Sequence, residues 1–393
     1  MRRFRRGLER MQQLAREWKA GAGAHFMLAM LLCIAAADCG GGGSSGMPAG
    51  GPPPPTFTNF DAPGAGTTAP QGTFAIGINA NGSAVGYFID ATNTIHAFVR
   101  DPAGTVTTFD APGARTQMLL GTEAIGINST GTIAGLFVDQ SNVEHSYIRT
   151  PEGTITVSDP PGSLSSFATA INDAGTVAGS YVPLPGAQQG YIRSNAGTFS
   201  AFVIPQGQLS LAPVPEQINA SGAVTGSFFD TVGINHGFLF DPPGTITVID
   251  APGAGTAIGD GTEALDVNGN GVVVGRIHNG AMNGLAVLHS FMRAADGTYT
   301  VFDPPGAGPN GSLADGINDN GAIVGSYIDA NMVRHGYLRN PDGSFVTFDD
   351  PDAAQLPATT VSLGTAPRRI NVSGAIVGLY TDGMGVRHGF VRQ

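Results

Sequence analysis

GINANGSAVGYF, residues 77–88, is the stretch that decides the fold, because six near-copies of it follow along the chain. They are GINSTGTIAGLF (126–137), AINDAGTVAGSY (170–181), QINASGAVTGSF (217–228), DVNGNGVVVGRI (266–277), GINDNGAIVGSY (316–327) and RINVSGAIVGLY (369–380). Their marker asparagines, spaced by 49, 44, 47, 49, 50 and 53 residues, are Asn79, Asn128, Asn172, Asn219, Asn268, Asn318 and Asn371. Such a period indicates a repeat architecture in which each copy is one supersecondary unit.

Each repeat predicts four β-strands. The first strand ends at the Ile-Asn pair, and the Asn-x-x-Gly turn leads into the second, since Asn and Gly both tolerate the positive φ of tight hairpins. The third strand is exemplified by IHAFVR at 95–100 and the fourth by GTVTTFD at 104–110. A four-stranded unit of about 48 residues has the size of one propeller blade.

The segment TFTNFD at 56–61 has the pattern of a fourth strand but stands alone, ahead of the first repeat. The seventh repeat lacks its fourth strand, because the chain ends at HGFVRQ (388–393). Donated to the seventh repeat, the N-terminal segment would leave no unpaired edge there. We therefore predict an all-β fold, a seven-bladed β-propeller closed by an N-terminal strand that completes the last blade. The first and seventh repeats should then be in contact, whereas an open solenoid would hold them apart.

The N-terminal part differs from the repeats. Arginines at positions 2, 3, 5 and 6 precede an apolar run at 26–37, which is too short to span a bilayer and is typical of an export signal. We predict an export signal at 1–39, a Gly/Ser/Pro linker at 40–55 and the propeller at 56–393. Cys39 is a candidate for lipidation followed by a tether, although Asp38 departs from the lipoprotein pattern, and ordinary cleavage near Ala37 is the alternative. Either way we expect an exported bacterial protein, extracellular or tethered at the cell surface or outer membrane.

Charge excludes one class of partner. From residue 40 onward the chain has 12 arginines, no lysine and 27 acidic residues, a formal charge of −15. Nucleic-acid binding depends on Lys and Arg neutralising phosphates, so a nucleic-acid partner and an anionic membrane surface are excluded. Any membrane attachment would be through the lipid anchor alone.

The repeats carry a second motif, in the third strand. Its copies are HAF at 96–98, HSY at 145–147, HGF at 236–238 and 388–390, HSF at 289–291 and HGY at 335–337. Over about residues 56–393 the pattern resembles the HAF-repeat family of exported bacterial proteins. The resemblance implies export and a propeller-like β repeat, without an established reaction.

The histidines of this motif are predicted to be structural, because catalysis needs a residue once whereas these recur in six repeats. Five follow an aspartate by six residues: Asp90 and His96, Asp139 and His145, Asp230 and His236, Asp329 and His335, and Asp382 and His388. Each carboxylate should pin the loop between strands two and three by accepting an imidazole N–H. Gln189, which replaces the histidine in the third repeat, can still hydrogen-bond. A ring of metal ligands is the alternative, but it would require the histidines to converge.

No metal site or cofactor is predicted. DVNGNG at 266–271 matches the opening of a calcium loop, but Ile277 occupies the position where such loops need a bidentate Glu. Calcium at this loop remains the alternative to an ordinary hairpin.

Binding residues are sought where the repeats differ, since shared positions are explained by folding. Such departures cluster just before the first strands, at the inferred channel mouth: Glu123, Glu216, Glu263, Asp315, Arg368 and Arg369. Ordinary variation in solvated loops would also produce them. The functional interpretation is an asymmetric pocket with an acidic arc facing an Arg pair.

These residues favour a monomeric binding or structural module whose ligand is a small polar molecule, a glycan or a protein. The alternative is a lyase or hydrolase that uses His278 with Glu263 or Arg276 as an acid–base set around blade five. Contact between His278 and Glu263 in one cleft would favour the enzyme, and an exposed His278 on an outer loop would exclude it. A purely architectural protein should have no concave polar pocket.

Overall fold

The computed structural model describes residues 55–117, 119–204, 213–282, 285–355 and 363–393. These residues form 28 β-strands and no helix. Among them there is also no helix of the length and apolarity that crossing a membrane requires. The export segment, Cys39 and the linker up to residue 54 lie outside the described residues.

The strands follow the repeats in groups. The N-terminal segment and the first three repeats contain β1 (Phe57–Phe60); β2 (Gly72–Ile78), β3 (Ala84–Ile89), β4 (Ile95–Arg100) and β5 (Val106–Phe109); β6 (Thr122–Ile127), β7 (Ile133–Val138), β8 (Glu144–Arg149) and β9 (Ile155–Val157); β10 (Ser163–Ile171), β11 (Val177–Pro183), β12 (Gln189–Arg193) and β13 (Phe199–Phe202). The last four contain β14 (Val214–Ile218), β15 (Val224–Phe229), β16 (Asn235–Asp241) and β17 (Thr245–Ile249); β18 (Gly261–Val267), β19 (Val273–Met282), β20 (Leu285–Arg293) and β21 (Tyr299–Phe302); β22 (Ser312–Ile317), β23 (Ile323–Ile328), β24 (Arg334–Arg339) and β25 (Phe345–Phe348); β26 (Gly364–Ile370), β27 (Ile376–Thr381) and β28 (Arg387–Arg392). Within each repeat, consecutive strands pair antiparallel, and the predicted all-β class is confirmed.

The marker asparagine holds its own turn and the neighbouring repeat together. The Oδ1 of Asn79 accepts the backbone N–H groups of Asn81 and Ser83, while its Nδ2 donates to the carbonyl oxygen of Asn128 at 2.9 Å. The expected positive φ falls on the glycine alone, at Gly82 with φ 86°. The Asn-x-x-Gly pattern repeated along the chain therefore reflects two separate roles, side-chain hydrogen bonding by Asn and backbone freedom of Gly.

The same donation recurs from repeat to repeat. Five further asparagine Nδ2 atoms donate to the carbonyl oxygen of a marker asparagine at 2.9–3.1 Å: Asn172 to Asn219, Asn219 to Asn268, Asn268 to Asn318, Asn318 to Asn371 and Asn371 to Asn79. The last of these links the seventh repeat to the first.

Every first strand contains a β-bulge, seen as a shift of register against the second strand three residues before the marker asparagine. The extra residues are Ile76, Ile125, Thr169, Glu216, Leu265, Asp315 and Arg368. A bulge re-aims one side chain out of the normal alternation. It therefore gives each repeat one position that can vary without disturbing the core.

Buried apolar side chains lie between neighbouring repeats. One cluster joins Val85 and Ala97 of the first repeat to Ile133, Phe137 and Tyr147 of the second. A single twisted four-stranded sheet cannot bury both faces alone, so this stacking supplies the core. A comparable cluster contains residues of the first and seventh repeats together with Ala62, from the segment after β1.

The orphan segment pairs where the sequence predicts. β1 lies antiparallel to β28, with Phe57 opposite Arg392 and Phe60 opposite Gly389. The ring of Phe57 contacts the rings of Phe348 and Phe390, with centroids 6.0 and 5.5 Å apart. The seventh group of strands thus obtains its fourth member from the other end of the chain.

The last repeat also meets the first along the backbone. Gly72, at the start of β2, pairs with Arg387 at the start of β28. Only glycine fits here, because a Cβ on Gly72 would lie 2.0 Å from the carbonyl oxygen of Arg387 and its φ is +117°.

Deleting residues 56–61 should lower the melting temperature far more than the loss of six surface residues would. The deletion exposes the edge of β28 and removes the Phe57 ring from a core that contains Phe390. Thermal unfolding monitored by circular dichroism measures the effect, with a protein shortened to begin at Thr56 as the control. Equal melting temperatures for the two proteins would contradict the role given to β1.

Candidate functional site

Five of the six motif histidines lie between two aspartates, and His289 contacts one. The predicted partners six residues earlier lie 3.5–3.6 Å from the Nε2 atoms of His96, His145, His236, His335 and His388. A second aspartate, which sequence reasoning missed, lies closer, at 2.6–2.9 Å from each Nδ1 atom. These second partners are Asp110, Asp159, Asp250, Asp303, Asp349 and Asp61, the fourth of them beside His289.

The missed partner has a sequence signal. In five repeats it follows the histidine by 14 residues, at the end of the fourth strand. In the third repeat Gln189 replaces the histidine, and the position 14 residues later is Val203. In the seventh repeat the chain ends too early, and Asp61 of the N-terminal segment takes the place.

Five of the histidine rings also stack on an aromatic ring of the second strand, with centroids 4.9–5.2 Å apart. The pairs are Phe88 and His96, Phe137 and His145, Phe228 and His236, Tyr327 and His335, and Tyr380 and His388. Because each ring is held on both edges and one face, the arrangement ties the third strand to the loops around it.

Acid–base candidates meet on the fifth repeat. Glu263 lies on β18, and Arg276 and His278 lie two residues apart on β19, so their side chains share one face. The Nε of Arg276 donates to Oε2 of Glu263 at 2.7 Å, and the Nε2 of His278 lies 3.2 Å from Oε1. Asn235 of the fourth repeat donates to the same Oε1 at 3.0 Å.

Glu263 is fixed as a carboxylate. Its burial favours the neutral acid, but Arg276 and His278 outweigh that effect and lower the pKa of Glu263 to about 2. The Nε2 of His278 is buried, and its approach to Glu263 is too poorly aligned for a hydrogen bond. His278 therefore contacts Glu263 through a buried nitrogen, while 20% of its side chain remains exposed.

A second set joins the sixth and seventh repeats. Arg368 lies with its Nη1 3.4 Å from Oδ1 of Asp315, and Arg369 donates to the backbone oxygen of Asp315. Burial raises the pKa of Asp315, with Arg368 and Arg369 opposing the rise. Asp315 and Arg368 are bulge residues of neighbouring first strands, which explains why they meet.

The sequence misplaced these candidates slightly. All six lie within first strands, not just before them: Glu123 in β6, Glu216 in β14, Glu263 in β18, Asp315 in β22, and Arg368 and Arg369 in β26. The first strands begin earlier than predicted, and the bulge adds one residue that the simple alternation did not include.

Two further arginines belong with them. Arg334 and Arg387 are the first residues of β24 and β28, one position before a motif histidine. Arg387 donates to the carbonyl oxygen of Pro70 at 2.8 Å and lies over the ring of Phe74. Among the repeats that carry the histidine, the position before it is arginine only in the sixth and seventh, and elsewhere it is Ile, Glu, Asn or Leu. This departure could have found them.

Neighbouring charges shift the pKa of the Arg334 guanidinium. Burial, followed by the positive charge of Arg368, lowers the pKa of Arg334 to about 10, and Arg276 and Arg387 act in the same direction. Only Asp315 among the principal neighbours opposes them. We call Glu263, Arg276, His278, Asp315, Arg334, Arg368, Arg369 and Arg387 the charged cluster.

Glu123 and Glu216 belong to the second and fourth repeats. The charge of Glu123 acts on Tyr87, whose pKa burial raises, while Arg387 and Arg368 oppose it. Glu216 raises the pKa of Arg276 less strongly than Glu263 does. The charges of both glutamates therefore act on groups in or beside the cluster.

First strands from six of the repeats line a common cavity of about 170 Å³, with Gln217, Asp266 and Arg369 as its polar members. Such a volume has room for roughly six water molecules. Burial raises the pKa of Asp266, and the positive charge of Arg369 opposes this rise.

The segment considered for calcium, residues 266–271, lies at the hairpin between β18 and β19. Asp266 accepts the backbone N–H groups of Val267 and Ile317, and the Oδ1 of Asn268 accepts those of Asn270 and Val272. No group of three or more His, Cys, Asp or Glu side chains placed to hold a metal occurs among the described residues.

A likeness to solved structures defines the class of fold. The chain is similar to the BP39L lectin from Burkholderia pseudomallei, with 10% identity and a TM-score of 0.50, covering 80% of this chain and 93% of the lectin. Together with the four-stranded repeats, this places the chain among β-propeller folds.

More distant likenesses accompany it. The lectin of Aleuria aurantia, described as a six-bladed β-propeller that recognises fucose, is 11% identical with a TM-score of 0.41, over 73% of this chain and 97% of that one. TolB from Acinetobacter baumannii is 12% identical with a TM-score of 0.45, and the match covers 67% of this chain and 62% of TolB. No protein-family model matches the chain, and no curated protein matches it either.

Replacing His335 by Gln should lower stability in a pH-dependent way. The hydrogen bond to Asp349 raises the pKa of His335 above 6.5, so the protonated ring stabilises the fold fully below pH 6.5 and less as pH rises through the higher folded value. Backbone N–H groups outweigh burial and lower the pKa of Asp329, which keeps this carboxylate ionised at pH 5. We expect the variant to melt about 1–2 °C below the wild type at pH 5–6, and this difference to shrink by pH 9.

Differential scanning calorimetry at pH 5, 7 and 9 measures that difference. The third repeat already carries Gln at this position, so the substitution fits the fold. A gap between the two proteins that stays constant with pH would contradict the ionic role of His335.

Proposed function

We propose that the protein is an exported, seven-bladed β-propeller that binds a small polar ligand beside its charged cluster. It would be extracellular or tethered at the surface through a lipid on Cys39, act as a monomer, and belong with the HAF-repeat proteins. The partner would be a small polar molecule, a glycan or a protein. A nucleic acid would be repelled by the formal charge of −15 beyond residue 39.

Contacts between the chain's two ends support a closed ring of seven blades. Seven groups of strands are present once β1 is assigned to the last, and the Nδ2 of Asn371 donates to Asn79 at 3.0 Å. A common cavity lined by first strands is what a ring with a central channel would contain.

Asymmetry is the observation that carries the binding proposal. A propeller needs no charge on its first strands, yet Glu263, Asp315 and Arg368 stand where most other repeats have an uncharged side chain. All three contact partners from neighbouring strands. Burying ionised groups costs free energy unless they are paired, so their presence on one side of the ring favours a functional role.

Contact between His278 and Glu263 favours the enzyme alternative, a lyase or hydrolase. With the pKa of Glu263 lowered to about 2, this carboxylate cannot exchange protons near neutral pH. The proton would therefore be transferred by His278, with Glu263 holding the ring in place.

Ring closure makes a prediction about the marker asparagines. Asn371→Asp and Asn219→Asp each keep the Oδ1 acceptor of the local turn. Each replaces the donating Nδ2 amide by an oxygen that faces a carbonyl oxygen, which costs about 1–3 kcal/mol. In a ring both variants lose one contact between neighbouring blades, so chemical denaturation should show similar losses. A stable Asn371→Asp protein beside a destabilised Asn219→Asp protein would indicate an open solenoid.

The proposed ligand binding makes a second prediction. In a thermal-shift screen of sugars, peptides, polyphenols and divalent ions, at least one class should raise the melting temperature of the wild type. Arg368→Gln should lose most of that rise, whereas Arg193→Gln, at the far end of a third strand, should keep it. Conversion of the ligand by the wild type but not by His278→Gln would favour the enzyme. If no class gives a shift, an architectural role replaces binding.

A further inference from the structure

The guanidinium of Arg334 is the least compensated group in the charged cluster. Its Nε is buried and has no hydrogen-bond partner among the described residues. Within the cluster, Arg276 is bound to Glu263 and Arg387 to the carbonyl oxygen of Pro70. The Nε atoms of Arg100, Arg149 and Arg392 are also buried without a partner, but these guanidinium groups lie over the rings of Phe60, Phe109 and Phe348. A buried donor without an acceptor costs free energy that the fold alone does not recover.

Its charged neighbours make that cost larger. The positive charges of Arg276, Arg368 and Arg387 all act on Arg334 and disfavour its protonated form. Like charges at short range repel, and burial strengthens the repulsion because less water screens it.

The nearby carboxylates are already engaged. Glu263 accepts from Asn235 and Arg276, and its second contact is His278. The carboxylate of Asp315 contacts Arg368, and its backbone oxygen accepts a hydrogen bond from Arg369. Glu123 and Glu216 act on Tyr87 and Arg276, and neither is among the principal charges acting on Arg334.

We propose that Arg334, with Arg368 and Arg387, forms an anion-binding subsite that takes the carboxylate or phosphate group of a small ligand. The inference rests on the proposed function and narrows its ligand to one bearing a compact anion. A planar guanidinium donates two parallel hydrogen bonds to such a group, and the anion supplies both the missing acceptor and the missing negative charge.

The arrangement also orients the ligand. Glu123 and Glu216 lie on the first strands of the second and fourth repeats, where their negative charge repels an anion. The anionic group should therefore bind toward the sixth and seventh repeats. Its hydroxyl or amino groups would then face the glutamates. The acidic surface of the whole protein does not steer anions, so selectivity arises from these local groups.

Three sugars that differ at one carbon test the subsite: glucose, glucuronate and glucose 6-phosphate. Isothermal titration calorimetry and thermal shift on the wild-type protein should detect glucuronate, glucose 6-phosphate or both, with no response to glucose. The two anionic sugars distinguish a carboxylate ligand from a phosphate ligand.

Arg334→Met and Arg334→Lys are the matched variants, with Arg193→Met as the control outside the cluster. Losing a charge-assisted bidentate contact should weaken the anion about 10–100-fold in Arg334→Met. Arg334→Lys keeps the charge without the fork and should bind with intermediate affinity, while Arg193→Met should bind like the wild type. Without ligand, Arg334→Met should melt at the wild-type temperature or above it, because it relieves an unpaired buried cation.

Three results would overturn the inference: binding of glucose as tight as that of the anions, unchanged anion binding by Arg334→Met, or a fall in the unligated melting temperature of Arg334→Met. A missing response to all three sugars would overturn it too. The wider proposal would still stand if another ligand class in the screen depends on Arg368, so the two can fail separately.

Discussion

Hydrogen bonds between marker asparagines are the interaction on which the rest of the structure depends. One amide side chain closes its own turn through Oδ1 and reaches the next repeat through Nδ2, as Asn79 does with Ser83 and Asn128. Because the same side chain performs both tasks, the local turn and the spacing between repeats are fixed together. Stacking then buries apolar residues that no single four-stranded sheet could cover, and the side of each repeat away from this contact is free to vary.

Four of the eight residues of the charged cluster lie at two positions that the backbone makes available. The bulge re-aims one residue of each first strand, and the residue before the motif histidine begins the third strand beside the next repeat. In the sixth and seventh repeats these positions hold Asp315, Arg334, Arg368 and Arg387, and in most other repeats they hold apolar or neutral residues. A regular scaffold thus carries one irregular, charged region without changing its own hydrogen bonding.

The histidine motif shows how a repeat can be shared between the two ends of a chain. In five repeats the ring is held by an aspartate 14 residues later, on the same unit. In the seventh, Asp61 from the start of the repeat region holds His388. The N-terminal segment therefore supplies the last repeat with a strand, the apolar ring of Phe57 and the aspartate that contacts His388.

The sequence by itself determined the all-β class, the seven repeats, their strands and the pairing of the orphan segment, because hydrophobic periodicity and turn residues are local and seven copies reinforce one another. It also singled out Glu263, Arg276 and His278, since they depart from the repeat. Only the tertiary structure decided that these three meet, that a second aspartate holds each histidine, and that Arg334 lies among other arginines. Those relations join residues of different strands and repeats, and their distances depend on bulges and on how repeats stack, which no local pattern encodes.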